Sequence, residues 1–211
     1  MKPTRATGAP GSPCWWWRTG WRASPAGACW RRWAARCRTP WSCRSRTSGC
    51  PWPTGSAPRG AAFGYLGHNL PQERLTVAVG SVAQARAGIT ATVEYTKQRK
   101  AFGTPVASFQ NTKFELAAMS AEVEAAQTMA DRAVLDLVEG TLSGADAARV
   151  KLFCTEVQAR VVDRCLQLFG GYGYMLEYPI ARLYTDARVA GIYAGTSEVM
   201  KVIVARDLGL S

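Results

Sequence analysis

The chain has 211 residues and a formal net charge of +11 at pH 7, which is enough length for one domain with an extension. A charge of this size favours nucleic-acid binding, but residues 1–62 hold 11 of the 26 Lys and Arg and none of the 15 Asp and Glu. Residues 63–211 are therefore formally neutral, which argues against that class for most of the chain. No apolar run approaches the ~20 residues that a membrane span needs.

Residues 1–62 have an unusual composition. All eight Trp and five of the seven Cys lie before residue 53, and the segment contains no Leu, Ile, Val or Phe. Without branched aliphatic side chains it cannot build a core that offsets chain entropy, so we predict a disordered segment. Its cysteines lack the two-to-four-residue spacing of zinc ligands and have no nearby His, which argues against a metal site.

Three interpretations of this segment remain open. It could be a basic nucleic-acid-binding arm with stacking Trp, or an Arg- and Ser-rich transit peptide, although it lacks the apolar helical face of the latter. The third interpretation is a frame-shifted or misassigned start, because every abundant residue here has GC-rich codons. We favour the third.

Residues 63–211 show helical periodicity. Residues 63–68 are expected to form a linker, Asn69 to cap the first helix, and Pro71 to occupy its first turn. This helix is expected to end near Arg99. The apolar positions that recur at three- and four-residue steps along it are Leu75, Val79, Val82, Ile89 and Val93.

Two further long helices are expected. Ser108 is expected to cap the second and Gly140 to end it, and Ser143 with Asp146 resembles a capping box for the third. The second stripe comprises Leu116, Met119, Val123, Ala126, Ala130 and Leu137, and the third comprises Val150, Phe153, Val157, Val161 and Leu168. With no alternating β pattern, the sequence predicts an all-α, antiparallel four-helix bundle with short extra C-terminal helices.

Residues 167–206 contain two glycine-bearing helix junctions. Gly170 and Gly171 would end one helix and let backbone N–H groups approach a ligand. Pro179 suits the first turn of a short helix, and Gly195-Thr196 would open the last helix with an anion-binding end. These junctions suggest a cofactor site, although ordinary helix–helix turns would give the same pattern.

The order of the motifs in this segment is more specific than any one of them. Q-x-x-GG-x-G-Y, Y-x-DAR and I-Y-x-GT-S-E follow one another from Gln167 to Glu198. This resembles the C-terminal domain of the acyl-CoA dehydrogenases, and the resemblance extends back to Phe63. It implies a four-helix bundle with extra C-terminal helices, FAD as cofactor, and oxidation of an acyl-CoA thioester to the trans-2-enoyl-CoA. It implies no metal.

The resemblance also suggests a catalytic base. Most family members carry a carboxylate directly before the GT, where this chain has Ala194, but a long-chain- and isovaleryl-like minority takes the base from the first helix in an L-x-x-ER pattern. Glu73 stands at that place and is the implied base, with Arg74 and Gly195 on the substrate side. The alternatives are that Glu73 is a first-turn cap, where the helix dipole lowers its pKa, and that Arg74 forms a surface ion pair.

The same resemblance implies a flavin site. Arg99 and Phe102 match the family's R-x-x-FG, and the remaining cofactor positions are Gln110, Gln167, Gly170, Gly171, Thr196 and Glu198. The resemblance implies that Arg99 and the glycine loop serve opposite subunits, and therefore that the protein is a homodimer or homotetramer. An electron-transferring flavoprotein would accept the electrons, in the bacterial cytoplasm or the mitochondrial matrix.

Family members also have an N-terminal helical domain and a middle β-domain, neither of which is recognisable here. We therefore expect the 211-residue chain alone to be inactive. The competing hypothesis is a non-catalytic helical oligomerisation or interaction domain, which Ala194 favours and Glu73 opposes.

Overall fold

The computed structural model describes residues 62–210, with side chains from residue 64 onward. The predictions for the N-terminal segment fall outside these described residues. The described part is almost entirely helical, which confirms the predicted all-α class. The helices are α1 (Ala62–Gln98), α2 (Gln110–Val138), α3 (Gly144–Phe169), α4 (Pro179–Ala190) and α5 (Ser197–Asp207).

The junctions between helices contain short irregular elements. Strands β1 (Lys100–Ala101) and β2 (Thr104–Pro105) form an antiparallel hairpin after α1. A 3₁₀ turn at Val106–Ser108 precedes α2, and another at Gly170–Tyr174 follows α3. The hairpin is too short to change the helical class.

Side-chain contacts give the directions of the long helices. Gln158 Nε2 donates to Gln84 Oε1 at 2.8 Å, and the Tyr95 hydroxyl donates to the Phe169 carbonyl at 3.1 Å. The second contact lies equally far along both helices from the first, and in the same direction along the chain. Helices α1 and α3 therefore run parallel and end at the same level. Helix α2 runs the opposite way, because Cys154 of α3 contacts Ala126, whereas the later Cys165 contacts the earlier Met119.

The two short helices complete the bundle. Helix α4 packs on α1 and α3, with Ile180 Cδ1 close to Gly88, whereas α5 packs mainly on α3. Arg149 near the start of α3 pairs with Asp207 at the end of α5. Lys201 in the middle of α5 approaches Glu156 of α3 at 3.6 Å.

Small side chains form much of the core, including Ala78, Ala85, Ala126 and Ala130. They let the helices approach closely, and the buried stripe is shifted from the predicted one. Most predicted core positions are buried or partly buried. Three of them were wrong, because their side chains are exposed: Val79, Leu137 and Phe153.

The capping predictions had mixed outcomes. Ser143 accepts the Asp146 N–H at 3.0 Å and bonds its carboxylate, which holds the pKa of Asp146 below its ordinary value. Asn69 is not a cap, since α1 already begins at Ala62 and Pro71 lies in its interior. Ser108 is not a cap either: Phe109 is the N-cap of α2, and its own N–H bonds the Val106 carbonyl of the 3₁₀ turn.

No helix within residues 62–210 is long and apolar enough to cross a membrane. The same part of the chain contains no group of His, Cys, Asp and Glu that could hold a metal ion.

Candidate functional site

A cavity of about 450 Å³ lies where α1 and α3 end. Because these helices run parallel, their C-terminal ends and the loops that follow them face the same space. We call this space the glycine-loop cavity. It is lined by Tyr95, Arg99, Val106, Gln167, Leu168, Phe169, Gly170, Gly171, Tyr172 and Met175.

An aromatic cluster forms the floor of the glycine-loop cavity. The Tyr95 ring stacks on Phe169 with 4.1 Å between centroids, and Tyr178 meets both rings edge-on. The Tyr95 hydroxyl donates to the Phe169 carbonyl at the end of α3. Burial raises the pKa of the Tyr95 hydroxyl above its ordinary value.

The lining of the cavity includes one cation, Arg99, and the glycine pair. Arg99 Cζ lies 5.2 Å from the centre of the Tyr172 ring, a cation–π distance, and no described carboxylate is within salt-bridge range of its guanidinium. Gly170 adopts φ +60°, a conformation that glycine tolerates best. A Cβ added at Gly170 or Gly171 would meet no atom within 4 Å, so the backbone is accessible to a ligand.

Four predicted cofactor residues therefore meet in one place: Arg99, Gln167, Gly170 and Gly171. The expectation that Arg99 and the glycine loop serve opposite subunits was wrong, because both line one cavity within one chain. The physical reason is the parallel packing of α1 and α3. Sequence reasoning missed Tyr95 and Tyr172, although Tyr95 lies one turn before Arg99 and Tyr172 directly follows the glycine pair.

Phe102 and Gln110 are two of the four predicted cofactor residues that lie outside this cavity. Phe102 is 98% exposed at the tip of the hairpin with φ +52°, and its ring meets Phe109 edge-on at 6.5 Å. Gln110 is exposed at the first position of α2. A single chain gives neither side chain a role in the cavity.

A second group of predicted residues surrounds the turn before α5. Thr196 caps α5 by accepting the Val199 N–H at 3.3 Å, and Ala194 and Gly195 adopt φ of +55° and +101°. Glu198 lies in the first turn, where its own backbone N–H and the Thr196 hydroxyl lower the pKa of its carboxyl. We call residues 193–196 the Gly195 loop.

A buried lysine supports the Gly195 loop, and sequence reasoning missed it. Lys151 of α3 is 0% exposed, and its Nζ donates to the Gly195 carbonyl at 2.8 Å. Burial lowers the pKa of this ammonium, the positive Arg74 lowers it further, and Glu198 opposes both effects. The signal available in the sequence was the helical spacing of Lys151 from Ala148 and Cys154, both of which are buried on α3.

Arg74 is a buried residue of the first helix. Its side chain is only 8% exposed, and its Nε has no hydrogen-bond partner among residues 64–210. Burial lowers the pKa of its guanidinium. The surface ion pair considered for Arg74 is therefore wrong.

Glu73 precedes Arg74 on α1 but faces solvent. It lies about three turns inside the helix, so neither a first-turn cap nor a first-turn dipole effect applies, and that alternative was wrong. The next residue, Arg74, lowers the pKa of Lys151, and Lys151 bonds the Gly195 loop. Glu73 therefore lies at the same end of the bundle as the Gly195 loop.

The two regions lie far apart along one helix. Arg74 and Gln98 both belong to α1 and are separated by roughly 36 Å at 1.5 Å per residue. The glycine-loop cavity and the Gly195 loop therefore do not form one site within one chain.

Comparisons with known proteins identify the domain. The family model for the acyl-CoA dehydrogenase C-terminal domain matches residues 62–209. The pig long-chain specific acyl-CoA dehydrogenase is 42% identical over 146 residues, which cover 69% of this chain and 34% of that protein. The short-chain specific acyl-CoA dehydrogenase of Megasphaera elsdenii is 39% identical over 149 residues, 71% of this chain and 39% of that one.

Solved structures agree. A crystal structure of an acyl-CoA dehydrogenase from Geobacillus kaustophilus superposes with a TM-score of 0.69 at 44% identity, covering 71% of this chain and 39% of that one. The chain thus spans between about a third and two fifths of the length of the relatives it matches. These matches confirm the resemblance found in the motifs: the chain belongs to the acyl-CoA dehydrogenase family, and residues 62–209 are its C-terminal domain.

Proposed function

We propose that this chain provides the FAD-binding, base-bearing C-terminal domain of an enzyme that oxidises an acyl-CoA thioester to the trans-2-enoyl-CoA. The observation that carries the proposal is the glycine-loop cavity, which gathers four family-matched cofactor residues at the end of two parallel helices. The pattern of residues 70–74 favours a fatty or branched-chain acyl group.

The residues of the cavity fit a flavin dinucleotide. Arg99 offers a guanidinium that pairs with no carboxylate among residues 64–210, which suits a pyrophosphate. Gly170 and Gly171 leave space for close backbone approach, and Gln167 adds an amide. When bound, FAD would accept the hydride from the β-carbon of the substrate.

A complete flavin site on this plan needs two chains. Thr196 and Glu198 match flavin positions of the family but lie roughly 36 Å of helix away from the cavity. One chain would hold the dinucleotide in its glycine-loop cavity, and a second would present Thr196 and Glu198. Phe102, at the exposed tip of the hairpin, would then pack on the cofactor or on the second chain. We therefore propose a homodimer or a pair of such dimers.

Glu73 is the proposed base for the α-proton. Its carboxylate forms no hydrogen bond or ion pair with residues 64–210, so it is available to a substrate. Ala194, at the position where most relatives carry the base, offers no carboxylate. Glu73 would remove the proton while Arg74 and the Gly195 loop form part of the substrate side. An electron-transferring flavoprotein is the proposed electron acceptor.

A non-catalytic interaction domain is the second candidate. Ala194 favours it, and the many exposed apolar side chains of the described helices suit a protein interface. The two candidates differ in whether Glu73 acts chemically.

The test is Glu73→Gln in a complete dehydrogenase, made by joining residues 62–210 to the N-terminal and middle domains of the pig relative. Glutamine keeps the size of the side chain but removes the basic carboxylate. We expect flavin reduction by acyl-CoA, measured by stopped-flow absorbance, to slow by about 10²–10⁴-fold, the usual loss of general-base catalysis. Acyl-CoA binding should change little.

Two controls sharpen this experiment. Glu198→Gln removes a carboxylate proposed to position the cofactor and should be far milder. Ala194→Glu in the Glu73→Gln background should return part of the rate, since the family approaches the same carbon from both positions. Unchanged reduction rates in Glu73→Gln would favour the interaction domain.

A further inference from the structure

Lys151 is the largest fully buried side chain among the described residues, and its burial needs an explanation. Removing an ammonium from water is costly unless the charge is paired and its donors are satisfied. Lys151 has three N–H donors, but among residues 64–210 it makes one hydrogen bond, to the Gly195 carbonyl. Arg74 of α1 repels this ammonium, and Glu198 attracts it. Burial with a single hydrogen bond therefore makes the ammonium a cost to stability.

The single hydrogen bond of Lys151 has a geometric consequence. In a planar trans peptide the carbonyl and the following N–H point in opposite directions. When Lys151 draws the Gly195 carbonyl toward α3, the Thr196 N–H must point away from α3, toward the outer side of the loop. Thr196 caps α5 from this peptide, and Glu198 is exposed in the first turn that follows.

The backbone conformation of the Gly195 loop does not by itself determine the orientation of the Gly195–Thr196 peptide. Ala194 and Gly195 both have positive φ, which costs an alanine about 1–2 kcal/mol. Glycine itself has many accessible conformations, so an external contact must choose one. Met200, fully buried, packs where a Gly195 Cβ would lie, at 2.6 Å. Lys151 supplies the polar contact, through its bond to the Gly195 carbonyl.

We propose that Lys151 is a positioning residue, whose ammonium orients the Gly195–Thr196 peptide so that the Thr196 N–H faces the bound flavin or acyl thioester. This inference rests on the proposed function for the identity of the ligand. Its structural part, the orientation of the peptide by Lys151, stands on the hydrogen bond alone. The lysine would then be retained for the site in spite of its cost to stability.

Arg149 provides a matched control. It lies two residues before Lys151 on α3 and also ties this helix to the C-terminal segment, through Asp207 at the far end of α5. Arg149→Met removes this tether without touching the Gly195 loop. Lys151→Met keeps the length of the side chain and removes the ammonium.

The first measurement uses the full 211-residue chain and needs no cofactor. NMR would follow the carbonyl ¹³C of Gly195 and the amide of Thr196, and thermal melting would follow stability. We expect Lys151→Met to shift both resonances and to melt at the same or a higher temperature, while Arg149→Met leaves both resonances in place. Unchanged resonances in Lys151→Met, equal shifts in Arg149→Met, or a Lys151→Met chain that does not fold would each overturn the proposal.

The second measurement uses the complete chimeric dehydrogenase and equilibrium FAD binding, with acyl-CoA KM and kcat as further readouts. Lys151→Met should weaken FAD binding or raise KM by about 10- to 100-fold, as for a lost hydrogen bond to a charged group. Lys151→Arg, which keeps the charge and the donors, should recover part of this loss, and Arg149→Met should show none of it. Native FAD affinity and KM in Lys151→Met would overturn the functional part. If the unaltered chimera binds no FAD, the proposed function fails, and the NMR result still decides what Lys151 does.

Discussion

The glycine-loop cavity and the Gly195 loop are held in place by different forces. Stacked rings of Tyr95, Phe169 and Tyr178 shape the cavity, and its polar groups stand at the edge in contact with solvent. The Gly195 loop has positive-φ backbone and one hydrogen bond from a buried ammonium. The first region depends on side-chain volume, and the second depends on backbone conformation and charge. Substitutions of the same size should therefore act differently in the two regions.

The largest loss of stability is expected from Phe169→Ala. This ring is 5% exposed and lies between Tyr95 and Tyr178, so its removal leaves a cavity. We expect a loss of about 3–5 kcal/mol in the free energy of unfolding, measured by urea denaturation of the 211-residue chain. Phe102→Ala, an equal truncation of an exposed ring, should change it by less than about 0.5 kcal/mol. Equal effects would show that packing does not shape the cavity.

A smaller loss is expected from Gly195→Ala. The alanine would adopt φ +101°, and its Cβ would overlap Met200 Cε at 2.6 Å. Strain and overpacking together should lower the free energy of unfolding by about 2–4 kcal/mol. Gly171→Ala in the other region has no neighbour within 4 Å and no positive φ, so it should change stability by about 0.5 kcal/mol or less. A tolerated Gly195→Ala would mean that the loop is not conformationally constrained.

The smallest effect is a pH dependence that belongs to Lys151 alone. Its pKa in the folded chain lies below the ordinary 10.5, so between these two values the unfolded chain binds more protons. Raising the pH through this window should therefore stabilise the unaltered chain relative to Lys151→Met, with no such change at lower pH. Unfolding of both chains at several pH values would measure this difference. A difference that falls as pH approaches 10.5 would contradict the lowered pKa.

Whether a sequence prediction was correct depended on how far apart in the chain the interacting residues lie. The Ser143–Asp146 capping box spans four residues and was predicted correctly. The prediction of an Asn69 cap was wrong because Pro71 was taken to mark the first turn of the helix. Helix α1 instead begins at Ala62 and continues through Pro71. Val79 and Phe153 fit the helical spacing of a buried stripe, yet both are exposed. Closely packed alanine side chains form the contacts between the helices instead.

The sequence by itself determined the helical class, the family and the motif residues, because periodicity, caps and ordered motifs are local patterns. Only the tertiary structure decided that α1 and α3 run parallel and end together, which places Arg99 beside Gly170 in one cavity. It also decided that Lys151 and Arg74 are buried, although both are of residue types that usually lie at the surface. The reason is that juxtaposition and burial depend on how helices pack, and residues distant in the chain set that packing together.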